Sequence, residues 1–510
     1  LAICFALSAT WCVTAGRELG PTFDEPFYLH AGLHSWHSWH QKDLLTAGTM
    51  PLPAKVVTLP LVGWELFRGE RLDVLSHMDE WLPIARAMTL VFWFLLLLGG
   101  YLGGRLWSGE LAGCLAVAFL AVEPVLLGHA SFATTDIAFT ACLLLLAVTF
   151  QAGREAPHRR RITVPAVLCA VTLLAKASAI VFIPVVLLAV EVDHRRQLGQ
   201  LRDRVAWNQS ARDLFAVGWR GLLIVFMLCP LAYRAFHLQF EHNIAGHGMT
   251  LLLGEASADG FWYYFPAALA IKTSLALLVL LALFLIRPRY LANGPMLAAL
   301  ALLLLSPAFR VQIGVRFVLP VIAFAILGLA IALARWFADC PSPSQRGISW
   351  GTVAIALGWT VTQSIHAWPH GLCYTSELFG GTERGYLTLS DSNYDWGQGL
   401  PELARWHEQH AEAPLDVWYF GTDGRVKQSP FHAVDASQAA TWEQFEERFR
   451  GHYLAVGTSM LYQNAYSTPG AKVLREHAPD ARTTTLLIYD FTRAGSVRLV
   501  TDRLACEPMR

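Results

Sequence analysis

The chain has 510 residues, 54% of them hydrophobic and only 15% charged, with a formal net charge of +0. Disorder needs low hydrophobicity and high net charge, and a nucleic-acid binder needs a basic surplus; neither is present. A soluble domain carries about 25% charged residues, so the composition points to an integral membrane protein with a polar portion.

A helix that crosses a bilayer needs roughly 20 mostly apolar residues. Residues 1–15 read as a first span, clipped at its start, in preference to a cleaved signal peptide, because no small-residue cleavage pattern follows. Residues 52–67 are apolar but carry Pro53 and Pro60 behind Pro51. They read as an amphipathic or re-entrant segment on the outer face. Clear spans follow at 82–102, 106–127 and 134–151, and later at 216–236, 263–286, 317–336 and 351–368.

Residues 162–192 are too long for one span and are broken at Lys176-Ala177-Ser178. Arg154, Arg159, Arg160 and Arg161 precede this stretch; Arg195, Arg196, Arg202 and Arg204 follow it. The positive-inside rule puts both clusters on the cytoplasmic side, so the stretch is two short helices. Arg287, Arg289, Arg335 and Arg346 are placed inside by the same rule, which makes 295–309 cross as well. The expected fold is mainly α, a polytopic membrane helical bundle of about 11 spans. It occupies residues 1–368 and has a large first outer loop at 17–81. Nearly every chemically interesting residue then falls on the extracytoplasmic side.

Residues 369–510 gain polar residues and lose the long apolar runs. Residues 415–420, 453–456 and 484–489 read as buried strands. Residues 401–409 and 441–450 read as helices, with Trp442, Phe445 and Phe449 at helical spacing. This is an extracytoplasmic α/β domain.

The strongest local feature is Thr22-Phe23-Asp24-Glu25-Pro26-Phe27-Tyr28. Adjacent carboxylates at a membrane surface repel each other and are costly to desolvate. One then takes a proton, or the two bind a divalent cation. A structural reading makes Asp24 a helix N-cap with Pro26 in the first turn; the two are compatible. A further acid, Asp136 in His129-Ala130-Ser131-Phe132-Ala133-Thr134-Thr135-Asp136, sits at the outer entrance of a span. An ionisable group there is a functional candidate, or a cap alongside Thr134 and Thr135.

Only six lysines occur: Lys42, Lys55, Lys176, Lys272, Lys427 and Lys472. Lys176, Lys272, Arg310 and Arg316 place positive charge on or near the outer face, against the usual bias. An anionic phosphate accounts for this; snorkelling to lipid headgroups is the plain alternative. His30, His34, His37 and His40 have metal-like spacing, but Trp36 and Trp39 among them favour an interfacial aromatic belt. Arg86 reads as a buried ion-pair or packing residue, and Gly99 to Gly104 as helix-packing material. Most cysteines lie in apolar runs as small hydrophobes. Cys373 and Cys506 lie outside such runs, and no spacing supports a disulfide between them.

These motifs, in this order, resemble the GT-C superfamily of membrane glycosyltransferases. More narrowly, the chain resembles family 39, with its protein O-mannosyltransferase and aminoarabinose transferase relatives. The resemblance rests on Asp24-Glu25 after the first span, the block His129 to Asp136, and Leu174-Ala175-Lys176-Ala177-Ser178. It continues through Leu253-Gly254-Glu255, Trp262-Tyr263-Tyr264-Phe265-Pro266 with Lys272-Thr273, and Ile313-Gly314-Val315-Arg316-Phe317-Val318-Leu319-Pro320. It ends at Asp391-Ser392-Asn393-Tyr394-Asp395-Trp396-Gly397-Gln398. Two segments depart. The His-Pro-Pro-Leu or Lys-Pro-Pro-Leu of many relatives is Met50-Pro51-Leu52-Pro53-Ala54-Lys55 here, with Lys55 as the candidate substitute for the lost charge. The usual Tyr-Phe-Asn-Glu is Tyr374-Thr375-Ser376-Glu377.

The resemblance implies an inverting glycosyltransferase of the cell membrane. It would move a hexose or pentose from a polyprenyl-phosphate carrier to an acceptor hydroxyl on a protein, lipid or polysaccharide. Asp24 would be the general base. Glu25 and Asp136 would orient it or share a cation; the cofactor is open between none and a divalent metal. Arg316, with Lys272, Lys176, Arg310 or Lys55, would neutralise the phosphate. Trp262, Tyr263 and Tyr264, with His129 and Glu255, would line the substrate groove. One rival is a transporter or flippase of lipid-linked sugars, which calls for midplane charges and inverted repeats. Another is a non-catalytic scaffold. Residues 391–398 either cap a helix and pack Trp396 against the bundle, or contact the acceptor.

Overall fold

The computed structural model describes residues 1–38, 41–340 and 342–492. Trp39, His40 and Cys506 lie outside the described residues. Helix α1 (Ala2–Glu18) leads into α2 (Glu25–His37), the short α3 (Lys42–Thr46) and α4 (Pro51–Arg68). The body continues through α5 (Met78–Ser108), α6 (Glu110–Leu120), α7 (Pro124–Ala130), α8 (Asp136–Ala152), α9 (His158–Ala175), α10 (Ala179–Gln197), α11 (Arg204–Leu228) and α12 (Ala232–Ala245). A hairpin of β1 (Thr250–Leu252) and β2 (Glu255–Ser257) precedes α13 (Tyr264–Lys272), α14 (Leu275–Leu285), α15 (Gly294–Leu305), α16 (Leu319–Ala338) and α17 (Pro343–Ala367).

Among the described residues, three helices are long and apolar enough to cross a membrane: α5, α8 with its extension to Glu155, and α16. The figure is six if each of three bent pairs is one span. These lengths do not establish the expected count of about 11, and local chemistry explains much of the shortfall. The segment at 106–127 is divided, because α5 runs on to Ser108 and α6 and α7 meet at 68° where Pro124 opens a new helix. The segment at 216–236 is not straight either. Helices α11 and α12 meet at 113° across Cys229-Pro230, since a proline cannot donate the next helical hydrogen bond. Helices α13 and α14 also meet at 113°, and at the break Ser274 N–H donates to the Glu123 carboxylate instead of to a helical carbonyl (3.1 Å). Residues 162–192 do form two helices, α9 and α10, with Lys176 at the break. Residues 52–67 lie within α4, whose Leu59, Leu66 and Phe67 are exposed.

The polar residues separate to two ends of the bundle. At one end Arg154 and Arg195 both hold Glu191, at 2.7 Å each, while Arg196 and Arg335 both donate to the Ala292 carbonyl. The arginine clusters before α9 and after α10 therefore meet, as an antiparallel helix pair requires. At the other end lie Asp24, Asp136, Lys176 and Arg316. Close packing of α5 on α6 depends on Gly104, where a Cβ would strike the backbone of Ala112 and Gly113.

After α17, the chain makes a short helix α18 (Gly381–Arg384) and then an α/β unit. Its elements are α19 (Leu400–Glu408), β3 (Leu415–Trp418), β4 (Phe431–Ala433), α20 (Trp442–Arg448), β5 (Tyr453–Gly457), α21 (Pro469–Glu476), β6 (Ala481–Arg482) and β7 (Leu486–Asp490). The five strands form one mixed sheet in the order β4-β3-β5-β7-β6. Strand β3 is parallel to β4 and β5, whereas β7 is antiparallel to β5 and β6. Strands β3, β5 and most of β7 are buried, which is why they read as apolar runs. One face carries Phe445, Leu454, Val456 and Tyr489; the other carries Leu403, Leu415, Val417 and Ile488.

Candidate functional site

Between the α/β unit and the bundle lies a cleft of about 700 Å³, lined among others by Asp24, Tyr28, Lys176, Arg316, Asp391 and Trp396. Asp24 stands at the N-cap position of α2, but its side chain caps nothing. Its Oδ2 instead accepts from Arg316 Nη1 at 2.7 Å and from the Tyr28 hydroxyl at 3.3 Å. Burial, with Asp24 beside it, pushes the Tyr28 phenol well above its usual range. Burial works against the Arg316 charge, but the nearby Asp24 and Asp136 outweigh it and hold the guanidinium pKa above its ordinary value. Arg316 packs between two rings, 4.3 Å from the centroid of Trp396 and 5.3 Å from that of Phe317.

A second pair flanks the first. Lys176 Nζ donates to Asp136 Oδ1 at 2.6 Å and lies 4.8 Å from the Phe317 ring centroid. The other Asp136 oxygen accepts from the Thr134 hydroxyl at 3.2 Å. The break between α9 and α10 is what lets Lys176 reach this end. Asp24, Lys176 and Arg316, distant in sequence, thus face one cleft, and Asp136 supports Lys176 from behind.

Other predicted residues stand elsewhere. Glu25 is completely buried and forms a two-pronged pair with Arg86, at 2.9 and 2.7 Å. It also accepts from Thr22 N–H and Ala133 N–H at 2.8 Å each. Lys272 is buried and donates to the carbonyls of Leu372 and Asn393, at 2.6 and 2.7 Å. Arg310 donates to the Ile244 carbonyl, and Lys55 sits over the Trp36 ring at 4.9 Å. His129 is buried in α7, Glu255 is exposed on β2, and Trp262 is exposed; none of these lines the cleft. Tyr263 is exposed against the Trp262 ring, at 5.5 Å, and Tyr264 is buried with its hydroxyl accepting from Asn393 at 2.9 Å; neither lines the cleft. Within the histidine series, His34 meets Asp43 and His37 meets Glu65, and among the described residues no metal-holding group forms.

Among the described residues, no group of three or more His, Cys, Asp or Glu is placed to hold a metal ion. Asp24, Glu25 and Asp136 are each matched by a different cation of the chain: Arg316, Arg86 and Lys176. That pairing does not fit a cation shared by the three, and no chemistry below is routed through one.

Residues 391–398 are a joint. Asn393 Oδ1 accepts from Val315 N–H at 2.9 Å, and the Ser392 hydroxyl donates to the Ile313 carbonyl at 2.6 Å. Both bonds hold the chain immediately before Arg316. The Trp396 and Gln398 carbonyls accept from Phe23 N–H and Gly20 N–H, at 2.8 and 3.0 Å, which ties the joint to the Asp24 loop. The α/β unit adds a stack of Phe420 on Phe23, at 5.4 Å. Trp396 packs against the bundle, with Leu19 and Phe132, but neither Asn393 nor Asp395 caps the following helix: the N-cap of α19 is Gly399, and the two side chains accept from Val315, Gly397 and Ser459 N–H instead.

Sequence reading passed over Tyr28, His242, His247, Asn464 and the cleft position of Asp391. His242 and His247 face the cleft from the end of α12 and the loop after it, with ring nitrogens 2.8 Å apart. Their signal, two histidines after an apolar run, resembles that of the histidines at 30–40 and could not be separated from it.

No family model and no curated protein matches the chain. Solved structures do. The chain is similar to ArnT from Cupriavidus metallidurans bound to undecaprenyl phosphate, with 14% identity, a TM-score of 0.49, and coverage of 97% of this chain and 98% of that one. The apo state of the same protein matches at 16% identity and a TM-score of 0.47, over 96% and 97% of the two chains. The archaeal oligosaccharyltransferase AglB from Archaeoglobus fulgidus, in complex with an inhibitory peptide and a dolichol-phosphate, matches at 10% identity and a TM-score of 0.45. That match covers 98% of this chain and 75% of the other.

Proposed function

We propose that the protein is an inverting glycosyltransferase that takes a sugar from a polyprenyl-phosphate carrier and gives it to an acceptor hydroxyl. The observation that carries this reading is the cleft itself. A carboxylate, Asp24, faces it in contact with a buried arginine, and Lys176 lies beside them, all at one end of an apolar helical body. That is the donor set for an anionic leaving group next to a base.

Among the described residues, Arg316 spends only Nη1 on a hydrogen bond, to Asp24. A guanidinium has five donors. It can therefore hold a phosphate while still orienting Asp24. Lys176 supplies a second positive charge, already desolvated and therefore strong.

The acceptor oxygen attacks the anomeric carbon as its proton passes to Asp24. The bond from that carbon to the phosphate oxygen breaks, and the polyprenyl phosphate leaves with the electron pair, stabilised by Arg316 and Lys176. A single displacement inverts the centre. In this reading the carrier's hydrocarbon tail is the reason for the lipid-embedded body. The arginine-rich end is cytoplasmic by the positive-inside rule, so the cleft and the α/β unit face outward from the cell membrane. Acceptor proteins, lipids and polysaccharides are all available on that side. A transporter or flippase of lipid-linked sugars would need charges near the bilayer midplane; the cleft charges gather at one end.

The test is turnover in detergent with radiolabelled polyprenyl-phosphate sugars. The wild type should consume a donor and release polyprenyl phosphate, and a folded Asp24→Asn variant should not. Undiminished turnover by that variant would remove Asp24 as the base.

A further inference from the structure

The cleft holds one more acid, and the mechanism above leaves it without a task. Asp391 is buried and lines the cleft, and its backbone is left-handed, with φ of 56°. A non-glycine residue there is uncommon and stores strain, which surrounding contacts must hold in place. Those contacts are visible. Asp391 N–H donates to the Ser459 hydroxyl at 3.0 Å, and Oδ1 accepts from Ser392 N–H at 2.6 Å. Oδ2 receives only a long contact of 3.5 Å from Gln463 Nε2. Ser459 precedes and Gln463 belongs to a five-residue π-helical turn, Met460–Asn464, whose last residue also lines the cleft. Such turns are rare and gather at functional sites. Two uncommon backbone features therefore meet at the lip of one cavity.

Charge separates Asp391 from the other acids of this end. Asp24 has Arg316 and Asp136 has Lys176, whereas Asp391 has no cation within ion-pair distance among the described residues. Burial raises its pKa to about 6 although Arg316 pulls it down. A buried carboxylate oxygen with only one long hydrogen bond has spare acceptor capacity. Neutral hydroxyl donors suit it better than a second phosphate, which it would repel. The α/β unit's share of the cleft lining is of the same kind: Asn464 and Thr422 offer amide and hydroxyl groups, and Phe420 offers a ring. The bonds of Ser392 and Asn393 to residues 313 and 315 fix this acid beside the phosphate-binding arginine.

We propose that Asp391, held out by Ser459 and the turn 460–464, is a sugar-reading residue that accepts hydrogen bonds from ring hydroxyls of the carrier-linked sugar. The inference rests on the glycosyltransferase reading. It divides the cleft into an anion half, Arg316 with Lys176, and a hydroxyl half on the α/β unit.

The experiment compares two kinds of probe on the full-length protein in detergent: bare undecaprenyl phosphate, and the same carrier bearing mannose, glucose or arabinose. The variants are Asp391→Asn, which tolerates the left-handed backbone, and Asp391→Gly, which removes the strain with the carboxylate. The expected result is bare-carrier affinity unchanged within about twofold. The glycosylated carrier that the wild type prefers should bind roughly 10- to 100-fold more weakly, as loss of charge-assisted hydrogen bonds predicts. If both variants lose bare and glycosylated carriers alike, or lose neither, Asp391 does not read the sugar and the inference falls while the wider reading stands. If the wild type prefers no glycosylated carrier over the bare one, the inference also falls. If the wild type fails to bind even bare undecaprenyl phosphate, the glycosyltransferase reading falls first.

Discussion

Asp24 and Glu25 are neighbours in sequence, and each pairs with an arginine, yet the two pairs belong to different parts of the molecule. Glu25 and Arg86 are enclosed. Arg86 also donates to the carbonyls of Gly16, Leu19 and Gly20, and Glu25 collects two backbone N–H groups. Their hydrogen bonds are spent on locking the end of α1 to α5 and to the turn before α8. Asp24 and Arg316 face a cavity, and among the described residues Arg316 spends only Nη1 on a hydrogen bond. The same two kinds of charged group make a structural joint where the fold satisfies them, and a candidate site where it leaves capacity over. A buried pair that lacks spare donors is a poor place to look for chemistry, however suggestive its residues.

The comparison breaks most directly at Glu25. Replacing it with alanine leaves Arg86 buried and unpaired, at a cost of about 3–5 kcal/mol. That is a large share of the roughly 5–15 kcal/mol that stabilises a typical protein. The Glu25→Ala variant should express poorly and elute as aggregate on size-exclusion in detergent. A monodisperse, fully active variant would show the joint to be dispensable.

Asp24→Asn should do the reverse. The variant should remain monodisperse, with sugar transfer down about 10²- to 10⁴-fold, the range for loss of a general base. The rate with saturating donor should carry the loss. Lys176→Met is expected to act more mildly and on binding. It should raise the donor KM by roughly 10-fold or more, as loss of one charge-assisted contact predicts, and leave Asp136 in need of a proton. A change confined to kcat would move Lys176 from the leaving-group half of the cleft to the chemistry itself.

The last test concerns the joint at 391–398. Burial raises Asp391 to about 6 and Asp395 to about 7, from an ordinary value of 3.8. Between pH 4 and these values the folded state holds protons that the unfolded chain releases. These two groups therefore lower stability as pH rises through that window, by at most about 1.4 kcal/mol per pH unit for each group. Thermal unfolding from pH 4.5 to 7.5 should show a shallower downward contribution in Asp391→Asn than in the wild type. Identical pH profiles would place the Asp391 carboxyl in a wetter setting than the cleft geometry implies.

Much of the site was legible because its residues break local rules. Asp24 and Glu25 stand out against an apolar span, and Lys176 interrupts a long apolar stretch. Arg316 is a cation where the charge bias disfavours one. Lys272 broke the same rule and was read with them, but its ammonium binds two carbonyls of the joint instead of facing the cleft. Residue type and approximate depth could not separate those outcomes. Asp391 carried the opposite difficulty: a tail residue between two serines gives no sign of the left-handed backbone that places it.

The sequence alone determined the apolar body, its arginine-rich end, the break at Lys176 and the buried strands of the α/β unit. Those follow from the cost of desolvating charge and from periodicity over a few residues, which are local quantities. The tertiary structure decided which acid meets which base. Asp24 and Arg316 lie 292 positions apart and Asp136 and Lys176 lie 40 apart. No local pattern assigns partners across such separations; the packing of helices and the docking of the α/β unit against the first acidic loop assign them. That docking also separates adjacent carboxylates into a joint and a candidate base.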